Sequence, residues 1–153
     1  MAIRREGFPL PDLDDPRTAE HFAAAARGEL RIPRCDGCGR WAWYPSETCR
    51  ACGGEAFTWT RVSGRGRLFS WAVVRRAFLP AFEEMVPFVT GLVALDEDPS
   101  VRLVTYLVDR DPEAWTPDES VEVTFRPLRF PTVPDREVIV PMFRPRVADA
   151  PGP

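Results

Sequence analysis

The chain has 153 residues, 44% of them hydrophobic, which suits one compact unit or two small lobes. Its basic residues are all arginine, and 20 of them face 23 acidic residues for a formal net charge of −3, which argues against a general nucleic-acid binder. No apolar run approaches the ~20 residues of a membrane helix, and the first residues lack the apolar stretch of a signal peptide, so we expect a cytoplasmic protein with no membrane contact.

The N-terminal region, residues 1–33, predicts an irregular arm followed by one helix. Asp15 can cap this helix, Pro16 suits its first turn and Gly28 suits its end. Its lone histidine, His21, is more readily explained as structural than as a catalytic base. Small and apolar residues recur at helical spacing on one predicted face: Ala19, Phe22, Ala23, Ala26 and Leu30. This face either packs on its own domain or forms one side of a subunit contact.

Four cysteines form two CxxC pairs with ten residues between them, and a glycine follows each pair. The pairs are Cys35 with Cys38 and Cys49 with Cys52. One CxxC turn presents two sulfurs to an ion and a second turn completes a tetrahedron, so we predict one structural Zn(II) per chain in a ribbon at residues 34–58. Iron is the alternative ion for a four-sulfur site.

Other uses of these cysteines fit less well. Disulfides belong mainly to secreted chains, and thioredoxin-like redox chemistry would need a lone CxxC at the start of a helix. Because four thiolates leave no open coordination position, we expect the metal to be structural and not catalytic.

Aromatic residues stand between the two cysteine pairs. Trp41 and Trp43 alternate with Ala42, as in a short strand, and Tyr44 follows. These rings either cover the metal site and the seam to the next domain or form a contact surface, since Trp and Tyr are favoured at interface hot spots.

From residue 57 onward the pattern becomes that of β-structure. The predicted strands lie at 57–62, 68–74, 88–95, 101–108, 121–126 and 137–143. Five or six strands joined mostly by short turns predict an OB-fold five-stranded barrel over residues 59–145, with Gly91 at a sharp bend or bulge. Residues 146–153 are expected to form a flexible tail.

The connection at residues 75–87 is unusually apolar. It contains four large apolar side chains that we expect to be covered by contact with another surface: Phe78, Leu79, Phe82 and Met85. We favour a cap on the barrel end, and the alternatives are a lip over a ligand or a contact with a partner.

A catalytic set is missing from the sequence. No phosphate-binding loop of the GxxxxGKS kind occurs, and no thiol remains free once the metal is bound. We therefore expect no catalytic residue and no enzyme activity of the isolated chain.

The order of helix, four-cysteine ribbon and OB-like barrel resembles the acyl-CoA-associated OB-fold/zinc-ribbon family over roughly residues 18–145. Seven short segments carry the resemblance: 30–39, 44–45, 49–52, 62–66, 86–88, 107–109 and 140–145. The family's metal ligands match all four cysteines here, although some members of the family lack cysteines.

The resemblance implies a mainly β protein in which a rubredoxin-like zinc ribbon follows the N-terminal helix and precedes the barrel. It also implies a non-catalytic accessory subunit of a thiolase-like enzyme, either a steroid side-chain-type acyl-CoA aldolase or a thiolase of lipid metabolism. The two subunits would form a hetero-oligomer and share the acyl-CoA. A partner of a MaoC-like enoyl-CoA hydratase is the alternative, and a nucleic-acid-binding OB/zinc-ribbon module is less favoured.

Two further sets of residues are predicted to take part in such a complex. The proposed partner contacts are Phe22, Trp41, Trp43, Tyr44, Phe78 and Phe82. Because arginine binds phosphate well, the candidates for CoA contact are Arg75, Arg76, Arg126 and Arg129. Ordinary solvated surface charge is the alternative explanation of these arginines.

Overall fold

A computed structural model describes residues 9–148, so predictions for residues 1–8 and for 149–153 of the predicted tail lie outside the described residues. The elements are one α-helix, two short 3-10 helices (Pro80–Phe82 and Pro112–Ala114) and seven strands: α1 (Ala19–Ala26), β1 (Arg31–Cys35), β2 (Phe57–Arg61), β3 (Arg65–Val74), β4 (Phe88–Leu95), β5 (Arg102–Leu107), β6 (Ser120–Phe130) and β7 (Val133–Pro145). The mainly β fold class with an N-terminal helix is confirmed. No helix of residues 9–148 is long and apolar enough to cross a bilayer.

Helix α1 ends as predicted but begins later. The backbone carbonyl of Asp15 closes a turn that precedes the helix, because it accepts hydrogen bonds from the N–H groups of Thr18 and Ala19. At the other end Gly28 has φ +76°, and its N–H donates to the carbonyl of Ala25 at 3.0 Å. This left-handed residue ends the helix in the way glycine favours.

The prediction of which residues form the buried face of α1 is wrong. His21, Ala24 and Ala25 are the buried residues, whereas Ala23 and Ala26 are exposed. The small side chains of Ala24 and Ala25 allow α1 to pack closely against β1 and β7, and His21 is buried on the same face. Phe22 is half-buried at the edge of this contact, and the predicted Leu30 is buried.

Residues 36–56, which we call the metal loop, connect the two strands of a hairpin. Strands β1 and β2 pair antiparallel from Arg31 opposite Arg61 to Cys35 opposite Phe57. Strand β1 was not predicted, since its sequence contains Pro33 and lacks a clear alternation. The predicted strand at residues 41–44 is wrong, because Trp41 makes only an isolated bridge with Arg34.

The remaining five strands form a closed barrel in the order β3-β4-β5-β7-β6, which confirms the predicted OB-fold. All neighbours are antiparallel except β5 and β7, which meet in parallel at Leu107 and Phe143. The β6 and β7 strands are longer than predicted and extend beyond the barrel as a hairpin. The barrel core includes Leu68, Val93, Leu95, Leu107, Val121 and Phe143.

Gly91 serves close packing in the barrel, and the bulge predicted at this residue is wrong. A Cβ on Gly91 would lie 2.8 Å from Cδ1 of Leu107 and 3.1 Å from the carbonyl oxygen of Ser70. The bulge instead lies on the neighbouring strand β3, between Leu68 and Ser70.

A second apolar core lies on the outside of the barrel. Its buried members are Leu10, Ala81, Leu128, Phe130, Val138, Val140 and Met142. Phe143 points into the barrel, so the alternation of β7 turns Val140 and Met142 outward. Phe82 and Met85 pack against this outer core, so the favoured prediction that residues 75–87 cap the barrel end is wrong.

Candidate functional site

The structure brings the four cysteine sulfurs into one compact group. All four Sγ atoms lie within 4.8 Å of one another, with Cys35 and Cys52 3.6 Å apart and Cys38 and Cys49 3.7 Å apart. A tetrahedron with zinc–sulfur bonds of about 2.3 Å has edges of about 3.8 Å, so the spacing fits one four-coordinate ion. These distances are far longer than a disulfide bond of about 2.05 Å.

Both cysteine turns have the same backbone geometry. The N–H of Gly39 donates to the carbonyl of Cys35 at 2.8 Å, and the N–H of Gly53 donates to the carbonyl of Cys49 at 2.7 Å. The two glycines have φ values of +72° and +76°. The glycine after each CxxC pair therefore supplies the left-handed conformation that closes the turn.

The backbone also prepares a sulfur for metal binding. Hydrogen bonds from the N–H groups of Ala51 and Cys52 lower the pKa of Cys49 to about 6. A thiolate is the form of cysteine that binds metal. At Cys52 a hydrogen bond with the backbone of Gly54 lowers the pKa, but hydrogen bonds with the thiols of Cys35 and Cys38 raise it overall to about 11, so an ion that binds here must displace the proton of Cys52. The arrangement is a metal-binding site of rubredoxin-like type.

A groove of about 640 Å³ lies between α1, the loop that carries Trp43, and the outer face of the barrel. We call it the apolar groove. Its walls are mainly hydrocarbon and include Phe22, Tyr44, Phe82, Phe88, Val104 and Tyr106. No charged residue of the described part of the chain lines it.

Four of the six predicted partner residues come together in the apolar groove: Phe22, Trp43, Tyr44 and Phe82. The other two lie elsewhere. Trp41 stacks against the guanidinium of Arg34, 5.3 Å from its ring centroid, and lines a separate cavity beside the metal loop. Phe78 is 86% exposed.

Sequence reasoning missed the strand residues of the apolar groove. Val104 and Tyr106 point outward from β5, while Leu103 and Leu107 point into the barrel core. An apolar run on both faces of a strand is the signal of burial on both sides. That signal was present at residues 103–108, but it does not identify what covers the outer face.

Two buried ring nitrogens of the apolar groove lack a partner. Within residues 9–148, Nδ1 of His21 and Nε1 of Trp43 make no hydrogen bond, and both residues line the groove. Their ring centroids lie 5.1 Å apart. Burial lowers the pKa of His21, and a hydrogen bond with the Arg31 backbone opposes this effect. The His21 ring is therefore neutral at physiological pH.

The four arginines predicted to contact CoA do not form one cluster. Three pair with separate carboxylates: Arg75 with Glu113, Arg126 with Asp109, and Arg129 with Glu137. The bond from Arg126 holds the pKa of Asp109 below its usual value. Arg76 has no ion pair within the described residues, and its guanidinium lies 5.9 Å from the ring centroid of Phe78.

Comparisons with known proteins match both halves of the chain. Residues 22–58 match the family described as "ChsH2, rubredoxin-like zinc ribbon domain", and residues 59–126 match "ChsH2, C-terminal OB-fold domain". Among solved structures, the chain is similar to a chain of "Ltp2-ChsH2(DUF35) aldolase", with a TM-score of 0.75 and 31% identity, covering 90% of this chain and 100% of that one.

Curated relatives agree with these matches. The chain is 30% identical over 115 residues to a "DUF35 domain-containing scaffold protein" of Methanothermobacter thermautotrophicus, covering 74% of this chain and 82% of that protein. It is 34% identical over 128 residues, 82% of its length, to a "Probable enoyl-CoA hydratase alpha subunit" of Thermomonospora curvata. The chain spans about a third of that relative, since the match covers 36% of it.

Proposed function

Because the chain belongs to the DUF35 family of zinc-ribbon and OB-fold scaffold proteins, we propose that it is a non-catalytic subunit that binds and stabilises a thiolase-like acyl-CoA aldolase. The observation that carries this proposal is the similarity of the chain to the whole length of one chain of an aldolase. The reaction would be the retro-aldol cleavage of a β-hydroxyacyl-CoA, of the steroid side-chain type, carried out by residues of the partner.

The proposed docking surface consists of the predicted aromatic residues and their exposed neighbours. Phe78 is 86% exposed, Tyr44 57% and Val104 60%, so these side chains can reach a second protein without any rearrangement. Phe22 and Phe82, which are half-buried, line the apolar groove together with Tyr44 and Val104. Exposed aromatic residues around an apolar depression are typical of an interface whose binding energy is concentrated in a few contacts.

The metal would act on docking through the loop that it holds. We propose one Zn(II) per chain, bound by Cys35, Cys38, Cys49 and Cys52, which supplies cross-links and no chemistry because its four positions are filled by sulfur. The aromatic loop at residues 41–44 lies between the two cysteine pairs, so the ion fixes the chain on both sides of Trp43 and Tyr44. Cysteines that bind metal as thiolates must not be oxidised to disulfides, and this requirement suits a reducing compartment, which supports a cytoplasmic location.

This chain would make few contacts with the CoA part of the substrate. Of the predicted arginines, only Arg76 lacks a carboxylate partner within the described residues, and it lies beside the exposed Phe78. We propose Arg76 as the residue that reaches a phosphate of CoA held by the partner. In the assembled complex Arg76→Ala should raise KM for acyl-CoA and leave kcat unchanged.

The test is assembly and turnover with purified subunits. The tagged chain is expressed with and without a thiolase-like subunit from the same source, and the products are analysed by size-exclusion chromatography and a retro-aldol assay. We expect one stable hetero-oligomer, cleavage only when both subunits are present, and no turnover by this chain alone. Thioester turnover by the isolated chain would contradict the proposal.

A hydratase partner is the second candidate. It is favoured by the printed description of the Thermomonospora curvata relative, an enoyl-CoA hydratase subunit. Capture of partners from native lysate, followed by mass spectrometry, distinguishes the two, since recovery of a MaoC-like hydratase without any thiolase-like protein selects the hydratase. A gel shift at low salt tests the less favoured nucleic-acid module.

A further inference from the structure

The two cysteine turns have matching backbone hydrogen bonds. The N–H of Cys35 donates to the carbonyl of Arg40 at 2.8 Å, and the N–H of Cys49 donates to the carbonyl of Gly54 at 2.7 Å. The bond from the glycine after each cysteine pair also has the same spacing in both turns. A contact that only one of the two turns makes therefore needs an explanation of its own.

Arg34 closes the first turn from outside, and the second turn has no equivalent contact. Nε of Arg34 donates to the carbonyl oxygen of Gly39 at 2.7 Å. Since Arg34 stands just before the first cysteine pair and Gly39 just after it, this bond joins the chain that enters the turn to the chain that leaves it. Thr48 occupies the matching position in the second turn, and its side chain makes no hydrogen bond in the described part of the chain.

A tryptophan ring holds the same guanidinium in place. The guanidinium carbon of Arg34 lies 5.3 Å from the ring centroid of Trp41, and the two residues also form an isolated antiparallel bridge. Beside this bridge, the N–H of Ala42 donates to the carbonyl of Pro33 at 2.8 Å. Arg34 makes no ion pair among residues 9–148, so the turn and the ring are the contacts that fix its side chain.

The hydrogen bond should matter more than the charge. Arg34 is exposed, and salt screens exposed charges, so the attraction of its guanidinium for a group of thiolates contributes little. A hydrogen bond from a charged donor is stronger, and its loss corresponds to a change of about ten-fold in an equilibrium or a rate. This difference in size allows the two effects to be separated by experiment.

We propose that Arg34 is a positioning residue of the metal site, which keeps the first cysteine turn closed and slows release of the bound ion. An ion held by four sulfurs leaves only after one turn opens, and Cys38 of the first turn is exposed. Opening this turn breaks the bond to Gly39 and separates the guanidinium from Trp41. The inference is independent of the proposed function, because it concerns this chain without a partner.

The test measures metal release from the full-length chain loaded with Co(II), whose bonds to thiolates absorb light. Excess EDTA is added, and the loss of absorbance gives the release rate. Arg34→Met keeps a long side chain without the donor, so it should release the ion about ten-fold faster than the wild type. Arg50→Met, which removes an exposed charge from the second turn, is the control and should release it at the wild-type rate. Wild-type release from Arg34→Met, or equally fast release from both variants, would overturn the proposal.

Two further measurements separate this role from screened charge and from a weaker fold. The ratio of the Arg34→Met rate to the wild-type rate should be the same at about 0.1 M and about 0.5 M NaCl, and a ratio that falls to one at high salt would overturn the proposal. The indole NMR signals of Trp71 and Trp115, which pack in the barrel core, should be unchanged in the variant. Their loss would show that faster release reflects unfolding and would also overturn it.

Discussion

Gly64 and Val123 are in such close contact that a Cβ on Gly64 would lie 2.2 Å from Cγ1 of Val123. The N–H of Val123 also donates to the carbonyl of Gly64 at 2.7 Å. Gly64 lies in the turn between β2 and β3, so this contact fixes the passage from the ribbon hairpin to the barrel.

The replacement of Gly64 by alanine should destabilise the protein more than the same change at Gly28. Both residues have φ +76°, so both variants incur the left-handed strain of about 1 kcal/mol. A Cβ at Gly28 meets nothing within 4 Å, whereas at Gly64 it collides with Val123 and should add about 1–3 kcal/mol. Urea unfolding of the two variants measures the difference, and equal losses would show that the contact relaxes without cost.

The stability of the protein should fall as the pH is lowered below about 6.5, partly because of His21. Burial lowers the pKa of His21 below its ordinary value of 6.5. Between the two pKa values the unfolded chain binds a proton that the folded chain does not, so the free energy of unfolding decreases as the pH falls through this window.

The matched variant for this effect is His21→Gln, which does not titrate. Between pH 7.5 and 5.5 the wild type should lose up to about 1 kcal/mol more stability than the variant. Urea unfolding at both pH values gives the difference, in which the protonation of the metal-site thiols cancels. Parallel losses in the two proteins would contradict the predicted window.

Replacement of Cys38 by serine should abolish metal binding and disorder the ribbon while the barrel stays folded. Cys38 is exposed, so its loss affects the ligand set and not the apolar core. Elemental analysis should find one zinc per wild-type chain and much less in the variant, and NMR should show the indole signals of Trp41 and Trp43 shifting while those of Trp71 and Trp115 persist. Glu55→Ser, exposed in the same loop, is the control and should retain the metal. Visible absorption of the purified wild type would instead identify iron.

The introduction of a charge at Phe78 should weaken the proposed complex without weakening the fold. Phe78 is 86% exposed, so Phe78→Asp should leave the unfolding curve unchanged, whereas loss of an interface anchor raises Kd by about 30-fold or more. Val147, which is 72% exposed, provides the control variant Val147→Asp. Surface plasmon resonance against the partner subunit compares the two. Equal affinities would remove Phe78 from the docking surface.

The sequence was sufficient for features that depend on local chemistry. The spacing of Cys35, Cys38, Cys49 and Cys52 specified the sulfur cluster, and the alternation within β5 and β6 specified two of the barrel strands. These patterns can be recognised because a metal-binding CxxC turn and a half-buried strand each place residues of one type at a fixed short spacing.

Features that depend on packing between distant segments could not be predicted in this way. Strand β1 contains Pro33 and is recognisable only through its pairing with β2, more than twenty residues later. The inner face of α1 was missed because residues 23–26 are four consecutive alanines, so the hydrophobic pattern does not show which of them face inward. The apolar groove combines side chains from the helix, the metal loop and five strands, and no local pattern marks it.

The parallel meeting of β5 and β7 gives the barrel a weak point. One residue pair, Leu107 with Phe143, joins these strands, whereas β6 and β7 are paired along most of their length. Thermal fluctuations should open the cylinder first along this line, leaving a curled sheet held by its hairpins. Tyr106 and Val140 of the two strands lie on its outer side, in the floor of the groove. A molecule bound there would contact both strands and hold the barrel closed, so its binding should raise the free energy of unfolding.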